Sequence, residues 1–286
     1  MLVQGSPFSN DALVVLGHGT DLNPQSAAPV VQHALELRRR RLFREVRESF
    51  WKQEPRIQTV LAGLSAPRIF IAPLFISDGY FAGEAIPQDL GFGPSRILRN
   101  ASGVVYFCQP VGTHESMTRI IHSRATGIVN QFPFPRAPKP AETTLFIAGH
   151  GTGRNPGSRL PVEHQANLIR AQNIYAAVHA VFMEEDPRIG DCHKLAATRH
   201  CIVVPFFISD GLHVVEDIPV LLGEPANAVK ARLAAALPTW RNPTEKHGKL
   251  FWYTSSVGTD PGLADVILER VHEAARGQGE ESGTGN

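Results

Sequence analysis

This chain is written twice, and nothing else in it limits the possible folds so strongly. LVVLGHGTDLNPQS (13–26) returns as LFIAGHGTGRNPGS (145–158), an offset of 132 residues. The same offset carries EPRI onto DPRI and FIAPLFISDGYFAGEAIP (70–87) onto the stretch that ends in VVPFFISDGLHVVEDIP (203–219). A constant offset over this distance marks a duplication without net insertion between the anchors. Near the ends, QPVGTHESMTRIIHSR (109–124) matches SSVGTDPGLADVILER (255–270) at an offset of 146, so the second copy gains about fourteen residues, assigned to LPTWRNPTEKHGK (237–249).

The expected organisation is therefore two domains, 1–138 and 139–286, as a length of 286 residues also favours. They are joined by the proline-rich QFPFPRAPKPAET (131–143), which has the composition of a stiff linker. The tail RGQGEESGTGN (276–286) has nothing to bury and is expected to be disordered. In each copy, short apolar runs that end at glycine (ALVVLG, TLFIAG) read as strands buried on both faces. Helical spacing continues through 27–53 and 162–185, and further strands are read at RIFIAPLFI, HCIVVPFFI, GVVYFCQPV and KLFWYTSSV. Alternating strands and helices predict an α/β fold of two duplicated domains, each a parallel sheet flanked by helices, with ligands beyond the carboxyl ends of the strands.

Composition excludes several classes. The net charge of +1 lacks the basic field of a non-specific nucleic-acid binder, and no apolar run reaches the roughly 18 residues of a membrane span. The N-terminus lacks the basic and long apolar regions of a signal peptide. Three cysteines, an odd number, argue against a disulfide framework and for a cytoplasmic protein. No P-loop motif is present, so no nucleotide is expected.

Two stretches can carry chemistry. In GHGT, His18 and His150 each follow the first strand of their copy, between glycines that let the backbone turn tightly. An HGT also occurs in subtilisin-like proteases, but no nucleophile-serine motif accompanies it here. In SDGLHVVEDIP, a strand is expected to end at Ile208, followed by a turn at Ser209, Asp210 and Gly211 and a helix from about His213. His213, Glu216 and Asp217 then share a face, an imidazole with flanking carboxylates that suits a divalent metal. The competing reading makes Glu216 and Asp217 simple complements of a helix dipole. A further group, Cys192, His193, His200 and Cys201, has metal-binding residue types, but its cysteines read as ordinary small core residues. The run of four arginines at 38–41 reads as a solvated helix face.

Strand-GHGT, FMEEDP (182–187) and P-x-F-x-x-x-G-x-H-V-x-x-D-I-P (205–219) together resemble the CbiX-type class II tetrapyrrole chelatases. The resemblance covers about 11–125 and 143–275. It implies two α/β domains with a cleft between them, and a metal held by His150, His213 and Glu184, with Glu185 as a rival for the third position. These three would also be the catalytic residues. It implies ATP-independent insertion of Co²⁺ as substrate metal into sirohydrochlorin, for cobalamin, with Fe²⁺ or Ni²⁺ insertion as nearby alternatives and a non-catalytic carrier as a more distant one. An octacarboxylate macrocycle would engage Arg154 and Arg159, because arginine pairs carboxylates bidentately, while Ser209, Asp210, Gly211, His18 and Glu84 would line the same substrate site, His18 and Glu84 against the ring or as proton relays. Single-domain members must dimerise, whereas one duplicated chain suffices as a monomer. The first copy departs from the motif, since Lys52 stands for Glu184, Phe81 for His213 and Ala85 for Asp217. Lysine cannot ligate while protonated and phenylalanine cannot ligate at all, so the second copy is expected to hold the site.

Overall fold

The computed structural model describes residues 5–20, 26–101, 103–152 and 156–277. Among the described residues ten strands form two sheets: β1 (Ala12–Gly17), β2 (Glu45–Phe50), β3 (Arg68–Pro73), β4 (Ile97–Asn100) and β5 (Gly103–Phe107) in one, and β6 (Thr143–Gly149), β7 (Ala177–Phe182), β8 (His200–Pro205), β9 (Thr244–Lys246) and β10 (Lys249–Tyr253) in the other. Their orders are the same, β2-β1-β3-β5-β4 and β7-β6-β8-β10-β9. Four strands of each sheet run parallel, and β4 and β9 close the edge antiparallel to β5 and β10. β1 and β6 are buried along their whole length, as central strands covered by helices on both faces must be.

Two expectations need correction. Helical spacing does not run through 27–53 and 162–185. The helix Ala28–Arg40 stops where Arg41 turns left-handed at φ 55°, and Leu160–Ala171 stops just before Asn173 at φ 54°. A strand comes next in each copy, EVRESF in the first and AVHAVF in the second. Val46 and Phe50 lie four apart, so they satisfy a helical template as well as a strand's alternation, and periodicity alone cannot separate the two in so short a run. The strand expected to end at Ile208 ends at Pro205, as its counterpart ends at Pro73. Proline has no N–H for the ladder. One last bond, from Phe206 N to Ala148 O at 2.8 Å, is made before the chain leaves the sheet.

The chain packs as two compact units, Met1–His114 with Pro261–Asn286, and Glu115–Asp260. These are not the repeat halves 1–138 and 139–286. The helix Met117–Gln131 of the first repeat packs on β8 and β10, and Trp252 Nε1 donates to Phe132 O at 2.8 Å just past its end. The helix Leu263–Arg276 of the second repeat packs on β3, where Arg270 Nε donates to Pro110 O at 3.0 Å. Each sheet is thus covered by the other repeat's last helix. Residues 278–286 of the expected disordered tail lie outside the described residues. No helix among the described residues is long and apolar enough to cross a membrane.

Candidate active site

In the second sheet the chain order reverses at β6, whose neighbours are β7 and β8. Ligands of open α/β sheets collect at such a switch point, outside the carboxyl ends of the strands. The loops leaving β6, β7 and β8 carry His150, Glu184 and His213 respectively. The ladder continues past the strand ends, because Met183 N and Glu184 N donate to His150 O at 3.0 and 3.2 Å. That pins the glutamate beside the histidine, with Glu184 Oε1 3.9 Å from His150 Nε2. Gly151 sits at φ +63°, and a Cβ there would lie 2.8 Å from Phe182 Cβ, so only glycine makes this turn without strain.

Both imidazoles have their tautomer fixed by an acceptor. His150 Nδ1 donates to Gly151 O at 2.9 Å, and His213 Nδ1 donates to Asp217 Oδ2 at 2.7 Å. In each ring it is Nδ1 that the protein engages, and an acceptor behind the ring at Nδ1 is what orients a metal-binding histidine. The ring centroids are 4.9 Å apart at an interplanar angle of 79°. His213–Asp217 is a π-helical turn rather than the α-helix expected there. Such turns are rare and gather at functional sites; this one brings residues 213 and 217 to one side. Buried Tyr253 holds the turn from beneath, its hydroxyl donating to Val214 O at 2.6 Å. The sequence reading missed Tyr253, for which the strand KLFWY gives no signal beyond its aromatics.

The rival acids separate cleanly. Glu185 is tied to Arg159 Nη1 at 3.1 Å and lies against Gly151. Glu216 points towards Lys230, 3.8 Å away, and is not part of the His213 pair. Asp210 accepts from Ser256 N at 2.7 Å and Thr259 Oγ1 at 3.4 Å, which engages it with protein. Gly211 O accepts from Val214 N and Val215 N, and Ser209 is half-buried beside them. Arg159 is shared between Glu163 and Glu185. Arg154 lies outside the described residues. Glu84 is exposed on the equivalent π-turn, Tyr80–Ala85, of the first unit.

His18 repeats the geometry of His150, its Nδ1 donating to Gly19 O at 2.8 Å. Its ring meets Phe81, not an imidazole, at 4.9 Å and 69°. The cysteine–histidine group does not converge. Cys192 and Cys201 are buried in the core, where burial pushes the Cys201 thiol up to about 12 and Cys192 well above its ordinary value. His193 stacks on His247 at 4.0 Å, and His200 faces Trp252. Among the described residues no group of three or more His, Cys, Asp or Glu side chains is drawn tightly enough to cage an ion by itself. The two imidazoles and Glu184 form an open rim.

The CbiX family model matches residues 12–127 and again 144–274. The chain belongs to the CbiX family. A Halobacterium salinarum protein described as a probable sirohydrochlorin cobaltochelatase is 37% identical over 279 residues, 92% of this chain and 91% of that one. A sirohydrochlorin cobaltochelatase of Methanopyrus kandleri is 30% identical over 138 residues, 46% of this chain but 95% of its own, as a single copy of the repeat would be. Among solved structures, a multi-domain Deinococcus radiodurans protein with structural similarity to chelatases superimposes with a TM-score of 0.75 at 24% identity. The match spans 93% of this chain and 55% of that one. SirB from Bacillus subtilis with Fe³⁺ superimposes at 0.65 and 19% identity, over 94% and 98% of the two chains. These likenesses carry the fold.

Proposed function

We propose that the protein is a sirohydrochlorin chelatase that inserts Co²⁺ into the macrocycle without a nucleotide, His150, His213 and Glu184 being the residues that handle the metal and the protons. The observation that carries this reading is the pair of imidazoles 4.9 Å apart, each held through Nδ1, with Glu184 Oε1 3.9 Å from His150 Nε2. The relative described as a probable cobaltochelatase, similar over 92% of the chain, supports cobalt as the metal.

The chemistry rests on the donor set. A substrate metal must be held and then surrendered, so two imidazole ligands that leave coordination positions open suit it better than a closed cage. Pyrrole nitrogens enter the open positions as water leaves. Two pyrrole N–H protons depart as four metal–nitrogen bonds form; Glu184 accepts one, and an imidazole that has released the metal accepts the other. Charge balances, since the dication replaces two protons. The ligand set lies within one unit, so a monomer suffices, and three unpaired cysteines fit a reducing cytoplasm.

The test is an anaerobic incubation with sirohydrochlorin and Co²⁺, followed by the visible absorption change, with Fe²⁺ and Ni²⁺ in parallel. Wild type is expected to exceed the spontaneous rate, fastest with Co²⁺, and His213→Ala to fall to background. Equal rates for the two proteins would end the enzyme reading, and a faster Fe²⁺ or Ni²⁺ reaction would end the assignment of cobalt.

A further inference from the structure

The first unit has not merely lost its ligands. At the four positions around its histidine the two copies differ in a coordinated way. Met183, Glu184, Leu212 and His213 of the second copy correspond to Trp51, Lys52, Tyr80 and Phe81 of the first. Two of these exchange an aliphatic side chain for an aromatic one, the third an imidazole for a phenyl ring, and the fourth an acid for a base. A site that simply decayed has no reason to change in this concerted sense.

The four side chains also meet. Phe81 stands 4.9 Å from His18, 5.3 Å from Trp51 and 5.5 Å from Tyr80 between ring centroids, and Lys52 Nζ lies 3.8 Å from the centre of the Trp51 ring. If the aromatics merely plugged a vacated hollow they would be buried. Instead Tyr80 is 60% and Phe81 43% exposed, and Lys52 and His18 are exposed as well. The rings sit at the carboxyl end of the first sheet, on the loops that leave β1, β2 and β3, where such sheets take ligands. Exposed π faces with an ammonium beside them match one class of ligand, a flat conjugated ring system with acidic substituents.

We infer that His18, Trp51, Phe81 and Tyr80, with Lys52, form a binding surface in the first unit for the π face and a peripheral carboxylate of a planar tetrapyrrole. The inference rests on the chelatase reading for the identity of the ring. It assigns to the first repeat a binding role of its own in place of metal chemistry.

The test compares two octacarboxylate probes that differ in flatness. Uroporphyrin is planar and conjugated, whereas uroporphyrinogen carries the same carboxylates on a flexible, unconjugated ring. Metal-free wild-type protein is titrated with each by calorimetry, alongside Phe81→Ala, Tyr80→Ala, Phe81→Tyr and Lys52→Glu. Uroporphyrin is expected to bind more tightly than uroporphyrinogen. The two alanine variants should weaken uroporphyrin about tenfold, or about 1.4 kcal/mol, and leave uroporphyrinogen unchanged. Phe81→Tyr should retain wild-type affinity, and Lys52→Glu should weaken both probes. Co²⁺ affinity, measured without tetrapyrrole, should not move in Phe81→Ala. Alanine variants that bind uroporphyrin like wild type, or that lose both probes equally, overturn the inference. The outcome is separable from the chelatase reading. If wild type metallates sirohydrochlorin while the alanine variants bind uroporphyrin normally, the surface falls and the enzyme stands. If planar binding depends on Phe81 and Tyr80 but no metallation occurs, the surface stands and the enzyme falls.

Discussion

Replacing Asp217 by asparagine isolates the orientation of His213 from its presence. The carboxylate accepts from His213 Nδ1 at 2.7 Å, four residues on in the same π-turn. An asparagine can offer either its carbonyl or its NH₂, and the NH₂ would force the wrong tautomer and flip the lone pair inward. Loss of an acceptor behind a ligating histidine costs 10- to 100-fold in metal affinity. Here the side chains are 51% and 45% exposed, so water can partly replace the carboxylate. The lower end applies, about tenfold or about 1.4 kcal/mol. For the same reason folding should lose no more than about 0.5 kcal/mol. The assay is the initial rate of Co²⁺ insertion as a function of Co²⁺, with a thermal melt of each protein. The half-saturating Co²⁺ concentration should rise about tenfold while the melting temperature moves by no more than about 2 °C. Superimposable cobalt curves would falsify the orienting role of Asp217. A large fall in melting temperature would show that the aspartate holds the turn together rather than the ring.

Lys52→Glu with Phe81→His places the missing residue types beside His18, whose ring already lies 4.9 Å from position 81, and should raise Co²⁺ stoichiometry from about one to two per chain; unchanged stoichiometry by equilibrium dialysis would refute the equivalence of the two frames. Gly151→Ala should destabilise by about 2 kcal/mol, combining the left-handed φ with the approach to Phe182, and chelatase activity should fall with it; a melting temperature within about 1 °C of wild type refutes this. Burial pushes the Cys108 and Cys201 thiols up to about 12 and Cys192 well above its usual range, so all three should resist thiol reagents at pH 8 and react only on denaturation. The same shifts set a sign for stability. Below about pH 8.5 the thiols are protonated in both states, whereas above it only the unfolded chain sheds these protons, so their contribution should wane as pH rises from about 8.5 towards 12; a urea midpoint that rises across that range in wild type relative to Cys201→Ala contradicts it.

The repeat made the architecture legible, because two copies in one register restrict the fold more than any local propensity does. β1 and β6 were readable because full burial demands an unbroken apolar run. β2 and β7 were not, because an alternating edge strand such as EVRESF fits both periods. At the site, His150, Glu184 and His213 were legible as types in a pattern, and the three adjacent strand ends bring them together. Which glutamate faces the imidazole was not legible, since Glu184 and Glu185 differ only in the side of the strand extension on which each emerges, and Arg159 takes the second. The aromatic group of the first unit was half visible: Phe81 stood out against His213, while Trp51 and Tyr80 become informative only once all four rings are seen to meet.

The exchange of the last helices changes what cutting this chain would do. Cleavage in the proline-rich stretch at 131–143 severs the sequence repeats but not the packing units. A fragment 1–138 would carry the first sheet without the helix Leu263–Arg276 that covers it, together with a spare helix whose apolar side belongs to the second sheet. Neither half is then a self-sufficient folding unit, and two separately made halves would need each other to become whole. A deletion of either repeat from this chain would leave the remaining sheet without the helix that covers it here, so each repeat depends on the other for its packing.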